Sequence, residues 1–359
     1  MKQRLDALRG RVTAAGCDGF VSVHPPANQY LSGFMTSLDH ISSVIVVTPD
    51  EAHFLCDSRY TEQAQHQVKD LQITQITGDQ MQRGGELLKK LNLKRVAFDP
   101  NGHTVAEHSR LEAAFGAELV PKDSLVSDLR IRKETAESDA VRAASQLAEG
   151  VLRDVLPELR EGIAERDVAA KIEYEFKRRG ASGTSFNSIV LFGANSSLPH
   201  GVPGERKLEL GDIVLIDMGC RRDGYCSDLT RTFVFSSIPG PWFEEIYALT
   251  RRAQQAALDA IRPGVTGREV DAAARGIIAG GGHGDRFGHG LGHGVGIEIH
   301  EEPRLNMRSD TVLEAGMVVT VEPGIYLPDR GGVRIEDLVL VTETGCEVFT
   351  KTPKELKVL

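Results

Sequence analysis

A chain of 359 residues with 42 basic and 51 acidic side chains carries a formal charge of −9, which excludes a broadly basic nucleic-acid coat. Its 41% hydrophobic content can furnish cores for about two domains that fold without covalent staples. The five cysteines stand apart with no CxxC spacing, so neither a zinc knuckle nor a dithiol centre is expected, and a reduced, cytoplasmic compartment fits best.

The N-terminal stretch MKQRLDALRGRVTAAGCDGF is broken by charge every few positions, so it lacks the apolar core of an export signal. No run approaches the roughly 18 apolar residues that would cross a bilayer, and no membrane partner is expected. Leu5, Leu8 and Val12 recur at helical spacing ahead of Gly16, predicting a helix over 3–15. Strands are predicted at 19–23, 43–47 and 52–56, the last two joined through Pro49-Asp50. Helical 61–69, extended 71–76, helical 79–92 and extended 95–98 complete a mixed α/β block, placed as a first domain over 1–125.

Residues 122–132 read as a connector, and a second domain is placed over 126–359. Helices are predicted over 134–155 and 165–179, followed by glycine-separated strands at 188–192, 211–217 and 228–235. Helices return at 241–261 and 266–280, and strands close the chain at 297–300, 317–322, 333–342 and 346–348. This order predicts an α+β domain whose curved antiparallel strands carry a site while helices cover the back. Part of the chain's 37 glycines gather here, and their cost in backbone entropy suggests sharp turns and close approaches around that site.

Three constellations carry chemistry. Asp217 and Asp228 flank Asp223-Gly224, a strong hairpin-turn signal. With that turn, residue 217 faces 230 and 219 faces 228, so both carboxylates point the same way from adjacent strands. Asp217 ends the apolar run Ile213–Ile216, where an unpaired carboxylate is expensive and a cation is its simplest partner. His283, His289, His293 and His300 then cluster among glycines. They run into the alternating Val295, Ile297 and Ile299, unlike a low-complexity histidine tract; spacing does not say which of them is a ligand. Finally, strands pairing symmetrically about Asp329 would set Glu322 opposite Glu336, a clash of like charge unless a cation intervenes or one stays protonated.

Two Asp, two Glu and one or two His form an oxygen-rich ligand set suited to a pair of Mn, Co, Fe or Zn ions rather than to a structural zinc. The chemistry implied is dinuclear hydrolysis. His200, in a Ser/Gly/Pro-framed loop, could reach the rim of such a centre.

The phrases LPHG (198–201), LIDMG (215–219), YCSDLTRT (225–232), GHGLGHGVGIEIHEEP (288–303), VEPGIY (321–326) and VRIEDLVLVT (333–342) resemble the pita-bread metallopeptidases. The match is to the proline peptidase branch that includes aminopeptidase P and prolidase. YLSGF at 30–34 and DSRY at 57–60 carry a weaker likeness in the first domain. The resemblance implies a pita-bread catalytic domain preceded by a smaller α/β domain. It implies Asp217, Asp228, His293, Glu322 and Glu336 as metal ligands, with Asp228 and Glu336 bridging. It further implies His200, His289 and His300 around the substrate and Arg334 behind the metal-bound carboxylates. Two divalent ions, manganese first, with cobalt, zinc or iron as alternatives, would activate a water, and Glu322 would shuttle its proton to the leaving prolyl nitrogen.

The activity so implied is an Xaa-Pro aminopeptidase acting as a homodimer on short peptides with proline second from the N-terminus. An Xaa-Pro dipeptidase (prolidase) is the alternative, for which Arg59 of DSRY is a candidate carboxylate partner. A methionine aminopeptidase fits the additional first domain less well, and a non-enzymatic peptide-binding module fits the intact ligand set least. Cys220 and Cys226 are expected to pack structurally, and the glycines of 281–296 lack the lysine of a phosphate loop.

Overall fold

The run Val44–Val47 is entirely β-branched, and it pairs antiparallel with the buried Ala52–Cys56 across the turn at Pro49-Asp50. They sit within the first of two units, Met1–Arg130 and Ile131–Leu359, in a computed structural model that describes residues 1–38 and 40–359. The first unit is a mixed α/β fold built on a six-stranded sheet in the order Gln72–Gln75, Ala52–Cys56, Val44–Val47, Gly19–Ser22, Arg95–Phe98, Glu118–Pro121. Val21, Val44, Val46, Val96 and Phe98 meet Met81, Leu88, Leu111 and Phe115 of the helices in one apolar cluster. The helices Pro25–Ser32 and Val105–Phe115 and the strand Glu118–Pro121 are additions to the sequence expectation. The second of those helices had a local signal: Thr104 and Glu107 form a reciprocal capping box at its start.

The second unit is α+β. Its antiparallel sheets are Ile189–Phe192, Ile213–Met218 and Leu229–Val234; the small sheet Gly183–Thr184, Cys220–Arg222 and Tyr225–Cys226; then Glu301–Leu305, Gly292–Gly294, Val318–Val321, Asp337–Val341 and Cys346–Val348; and the ribbon Gly324–Leu327 with Gly331–Arg334. Period-two alternation decides what each face of Ile213–Met218 meets. Val214, Ile216 and Met218 join the core under the helices Thr135–Val155 and Glu165–Arg178. Ile213 enters the other core, under Pro241–Ala260 and Gly267–Gly280. Asp217 shares the parity of Ile213 and therefore turns away from the first helix pair.

Two registers expected from the sequence are present. Thr230 faces Asp217, and Arg222 faces Tyr225 across Asp223-Gly224. Val321 faces Asp337 and Gly324 faces Arg334, both symmetric about Asp329. The expected strands 317–322 and 333–342 are nonetheless interrupted: the ladders stop at Val321 and Arg334, leaving Glu322 and Glu336 in the gap between them.

The strand expected at 297–300 is corrected. Strands occupy Gly292–Gly294 and Glu301–Leu305 instead, with bends between them. The alternating apolar side chains there do not line a ladder, because the backbone folds around the Glu301 carboxylate. Glu298 N–H donates to Glu301 Oε1 at 3.1 Å, and the Gly296 carbonyl accepts from Cys226 N–H at 2.8 Å. Cys220 and Cys226 are buried free thiols, pushed up to about 11 by burial, and each Sγ donates to a backbone carbonyl. Both are buried, as the structural role expected of them requires. Among the described residues, no helix is long and apolar enough to cross a membrane.

Candidate metal centre

Asp217, Asp228 and Glu336 are buried and place one carboxylate oxygen each within 4.8 Å of the others. The hairpin delivers the first two, Asp228 lying just ahead of Leu229–Val234. Glu336 comes from the interrupted ladder, where Thr230 Oγ1 donates to its Oε2 at 2.7 Å. Burial raises the pKa of Asp228 well above the ordinary carboxylate range, reinforced by Glu336, Asp217 and Glu322. Burial does the same to Glu336, with Glu322 and Asp217 adding to it. Such a cluster calls for either protons or positive charge. Asp217 Oδ1 is buried with no hydrogen-bond partner, a costly state for an anionic oxygen unless a cation completes it.

His293 extends the cluster. Its Nδ1 lies 3.1 Å from the Gly294 carbonyl, which can only accept, so Nδ1 carries the hydrogen and Nε2 presents a lone pair. Burial pushes this imidazole down to about 3 and keeps it neutral. Nε2 lies 3.3 Å from Glu322 Oε1 and 3.6 Å from Asp228 Oδ2. Lone pairs facing one another at these distances repel unless an electrophile lies between them, so the five residues fit divalent cations. Thr320 Oγ1 accepts from His293 N–H at 3.0 Å and donates to Glu322 Oε1 at 3.1 Å, tying two ligand candidates together. Burial pushes the Glu322 carboxyl up to about 7.

Arg334 stands behind the carboxylates, fully buried. Its Nη2 donates to Asp217 Oδ2 at 2.5 Å, Nε to Thr230 Oγ1 at 3.1 Å, and Nη1 to the Pro199 carbonyl at 3.2 Å and the Tyr326 hydroxyl at 2.8 Å. Burial opposes its charge, but Tyr326, Asp217 and Glu322 outweigh burial and raise its pKa. The Tyr326 hydroxyl, pushed up to about 12 by burial, donates onward to His289 Nε2 at 2.9 Å, and His289 Nδ1 donates to the Gly290 carbonyl at 2.8 Å. His289 is thereby held neutral, its pKa driven down to about 4 by burial first and Arg334 second. Sequence reasoning missed Tyr326, Thr230 and Thr320. Local register signalled two of them: 230 faces 217, and 320 lies two residues from 322; Tyr326 lies beyond the break in the ladder, where period two no longer carries.

The five ligand candidates, Arg334 and His289 line a cavity of about 510 Å³ together with His200, His300, Arg304, Asn306 and the apolar Phe186, Ile189 and Ile299. The His300 ring meets His293 edge-on at a centroid distance of 4.4 Å. His200 is exposed at the cavity wall. His283 is not among the described residues lining the cavity. Arg304 brings a cation to the wall and meets Glu302 at 3.6 Å. Arg59 lies in the first unit, its side chain 72% exposed and its guanidinium 2.7 Å from Asp57.

Beneath Glu336, Asp337 is fully buried and accepts from Arg231, Thr350, Gln254 and Lys354 at 2.7–2.8 Å. Arg231 Nη1 also donates to the Glu336 carbonyl, so the backbone of a ligand candidate is clamped from behind.

The profile of metallopeptidase family M24 matches residues 139–343, and that of the creatinase/prolidase N-terminal domain matches residues 4–132. An Xaa-Pro dipeptidase of Pyrococcus furiosus is 39% identical, over 99% of this chain and all of the relative. The structure of an Xaa-Pro dipeptidase from Bacillus anthracis superposes with a TM-score of 0.96 at 39% identity, covering 100% of this chain and 99% of that one. The crystal structure of an X-Pro aminopeptidase from Thermotoga maritima superposes with a TM-score of 0.90 at 33% identity, covering 97% and 100%.

Proposed function

Since the chain belongs to metallopeptidase family M24, we propose that it is an Xaa-Pro dipeptidase, releasing the amino acid that precedes a C-terminal proline. The observation that carries this choice over the aminopeptidase expected from sequence is the TM-score of 0.96 along essentially the whole of a dipeptidase. Arg304 supports it, because a cation on the cavity wall suits the free carboxylate that a dipeptide presents and an internal proline lacks.

Asp217, Asp228, His293, Glu322 and Glu336 would hold two divalent cations, manganese first, with cobalt, zinc or iron as alternatives. Bound there, such ions supply Lewis acidity and lower the pKa of water. Glu322, beside the activated water, takes a proton and returns it to the leaving prolyl nitrogen. His300 and His200, at the cavity wall, donate to the scissile carbonyl as negative charge develops. His289 has both ring nitrogens engaged, so it shapes the wall and steadies Tyr326 rather than transferring a proton. Arg334 holds Asp217 in place. The enzyme is further proposed to act in the cytoplasm as a homodimer, which light scattering of the purified chain tests.

A kinetic panel decides the specificity. Ala-Pro should be hydrolysed by protein reconstituted with manganese, while Ala-Pro-Ala is cut far more slowly. Equal kcat/KM for the two peptides would return the aminopeptidase reading, and no hydrolysis of either with any of the four metals would remove both.

A further inference from the structure

Beneath His300 lies an ion pair that the reaction above leaves unused. The side chains of Lys133 and Glu301 are 1% and 6% exposed, and Nζ stands 3.0 Å from Oε2. Burying two charges costs several kcal/mol per ion, and an apolar pair of similar volume is often at least as stable. The ions do something that an apolar pair could not: the Glu301 carboxylate binds both Lys133 and the Glu298 N–H, at 3.0 and 3.1 Å.

The turn wraps this carboxylate so closely that a Cβ at Gly296 would fall 2.6 and 2.7 Å from its two oxygens. From the other side Cys226 holds the Gly296 and Ile297 carbonyls at 2.8 and 3.4 Å. Lys133 itself is anchored, its N–H donating to the Gly316 carbonyl at 2.8 Å and its Nζ to the Ile131 carbonyl at 3.4 Å. The turn ends at His300, and the next residue, Glu301, pairs with Gly294 across the irregularity that follows His293. The side chain that anchors the turn therefore belongs to the residue bonded to His300.

We propose, resting on the substrate contact assigned to His300 above, that Lys133 and Glu301 are positioning residues for His300. Their ion pair fixes the 296–300 turn so that the imidazole points into the cavity beside His293. The metal ligands keep their own supports, Thr320, Thr230 and Arg334, and are not the target of this device.

A double-mutant cycle tests it. Lys133→Met with Glu301→Gln removes both charges and leaves no lone buried ion. The pair should lower kcat/KM for Ala-Pro by about 10–100-fold, the scale of an ångström-sized misplacement. Manganese stoichiometry should be unchanged. In a His300→Ala background the same two substitutions should cost less than about twofold, since nothing is left to position. An equal loss in both backgrounds, or loss of manganese, overturns the positioning role; a His300→Ala enzyme with undiminished kcat/KM overturns instead the reading on which it rests. If the double substitution does not fold, Glu301→Gln alone, whose single carbonyl oxygen keeps an acceptor for the Glu298 N–H or for Lys133 but not for both, is read in the same two backgrounds by the same criteria.

Discussion

Arg334 engages all three of its nitrogens, bridging Asp217, Thr230, the Pro199 carbonyl and Tyr326. A planar fork can do this and a single ammonium cannot. Arg334→Lys should therefore lower kcat/KM by about 10–100-fold and weaken manganese retention, the scale seen when groups supporting metal ligands are altered. Full activity with a full metal complement would show that Asp217 needs no such support. The same residue contributes to the state of His289. Burial first and Arg334 second keep that imidazole neutral, and Tyr326 gives it a hydrogen bond it can only accept. A histidine beside a candidate metal site is thus assigned a supporting part by its partners rather than by its proximity.

At the scale of elements, the centre depends on backbones that approach without side chains between them. A Cβ on Gly292, in the strand that carries His293, would lie 2.0 Å from the Thr320 carbonyl oxygen. Neither backbone can give way without moving His293 or Thr320, so Gly292→Ala should destabilise by about 1–3 kcal/mol, as overpacking does. Gly276, exposed in the helix Gly267–Gly280, has nothing within 4 Å of its would-be Cβ. Gly276→Ala should therefore stabilise by about 0.4–1 kcal/mol, through the unfolded chain's lost freedom. Thermal or urea unfolding of the two variants checks the opposite signs. A like result for both would mean that strand closeness at Gly292 is not what sets the centre's geometry.

For the whole molecule, the carboxylates of the centre oppose folding when no cation is present, because burial and mutual repulsion raise the pKa of Asp228 and Glu336. A ligand that binds only the folded chain stabilises it by about 2.7 kcal/mol at a hundredfold excess over Kd. Chelation should lower the unfolding midpoint, manganese should restore it, and Asp228→Asn should blunt the response. An unfolding midpoint indifferent to chelator would mean that the cluster holds no structural cation. The ladders around these residues were legible from local chemistry. Asp223-Gly224 and the symmetry about Asp329 set which residues face each other, since turn type and period two act over a few residues. What stayed illegible was closure over distance. The spacing of four histidines does not say which one meets the carboxylates; that depends on where the strand Gly292–Gly294 packs. The apolar alternation at 295–299 suggested a strand, whereas a carboxylate 168 residues from its lysine bends the chain there. Tyr326 likewise reaches His289 across 37 residues. Sequence alone determined the chemical inventory and the local registers; the tertiary structure decided which members of that inventory meet, because burial and ion pairing are properties of the packed chain and leave no period to read.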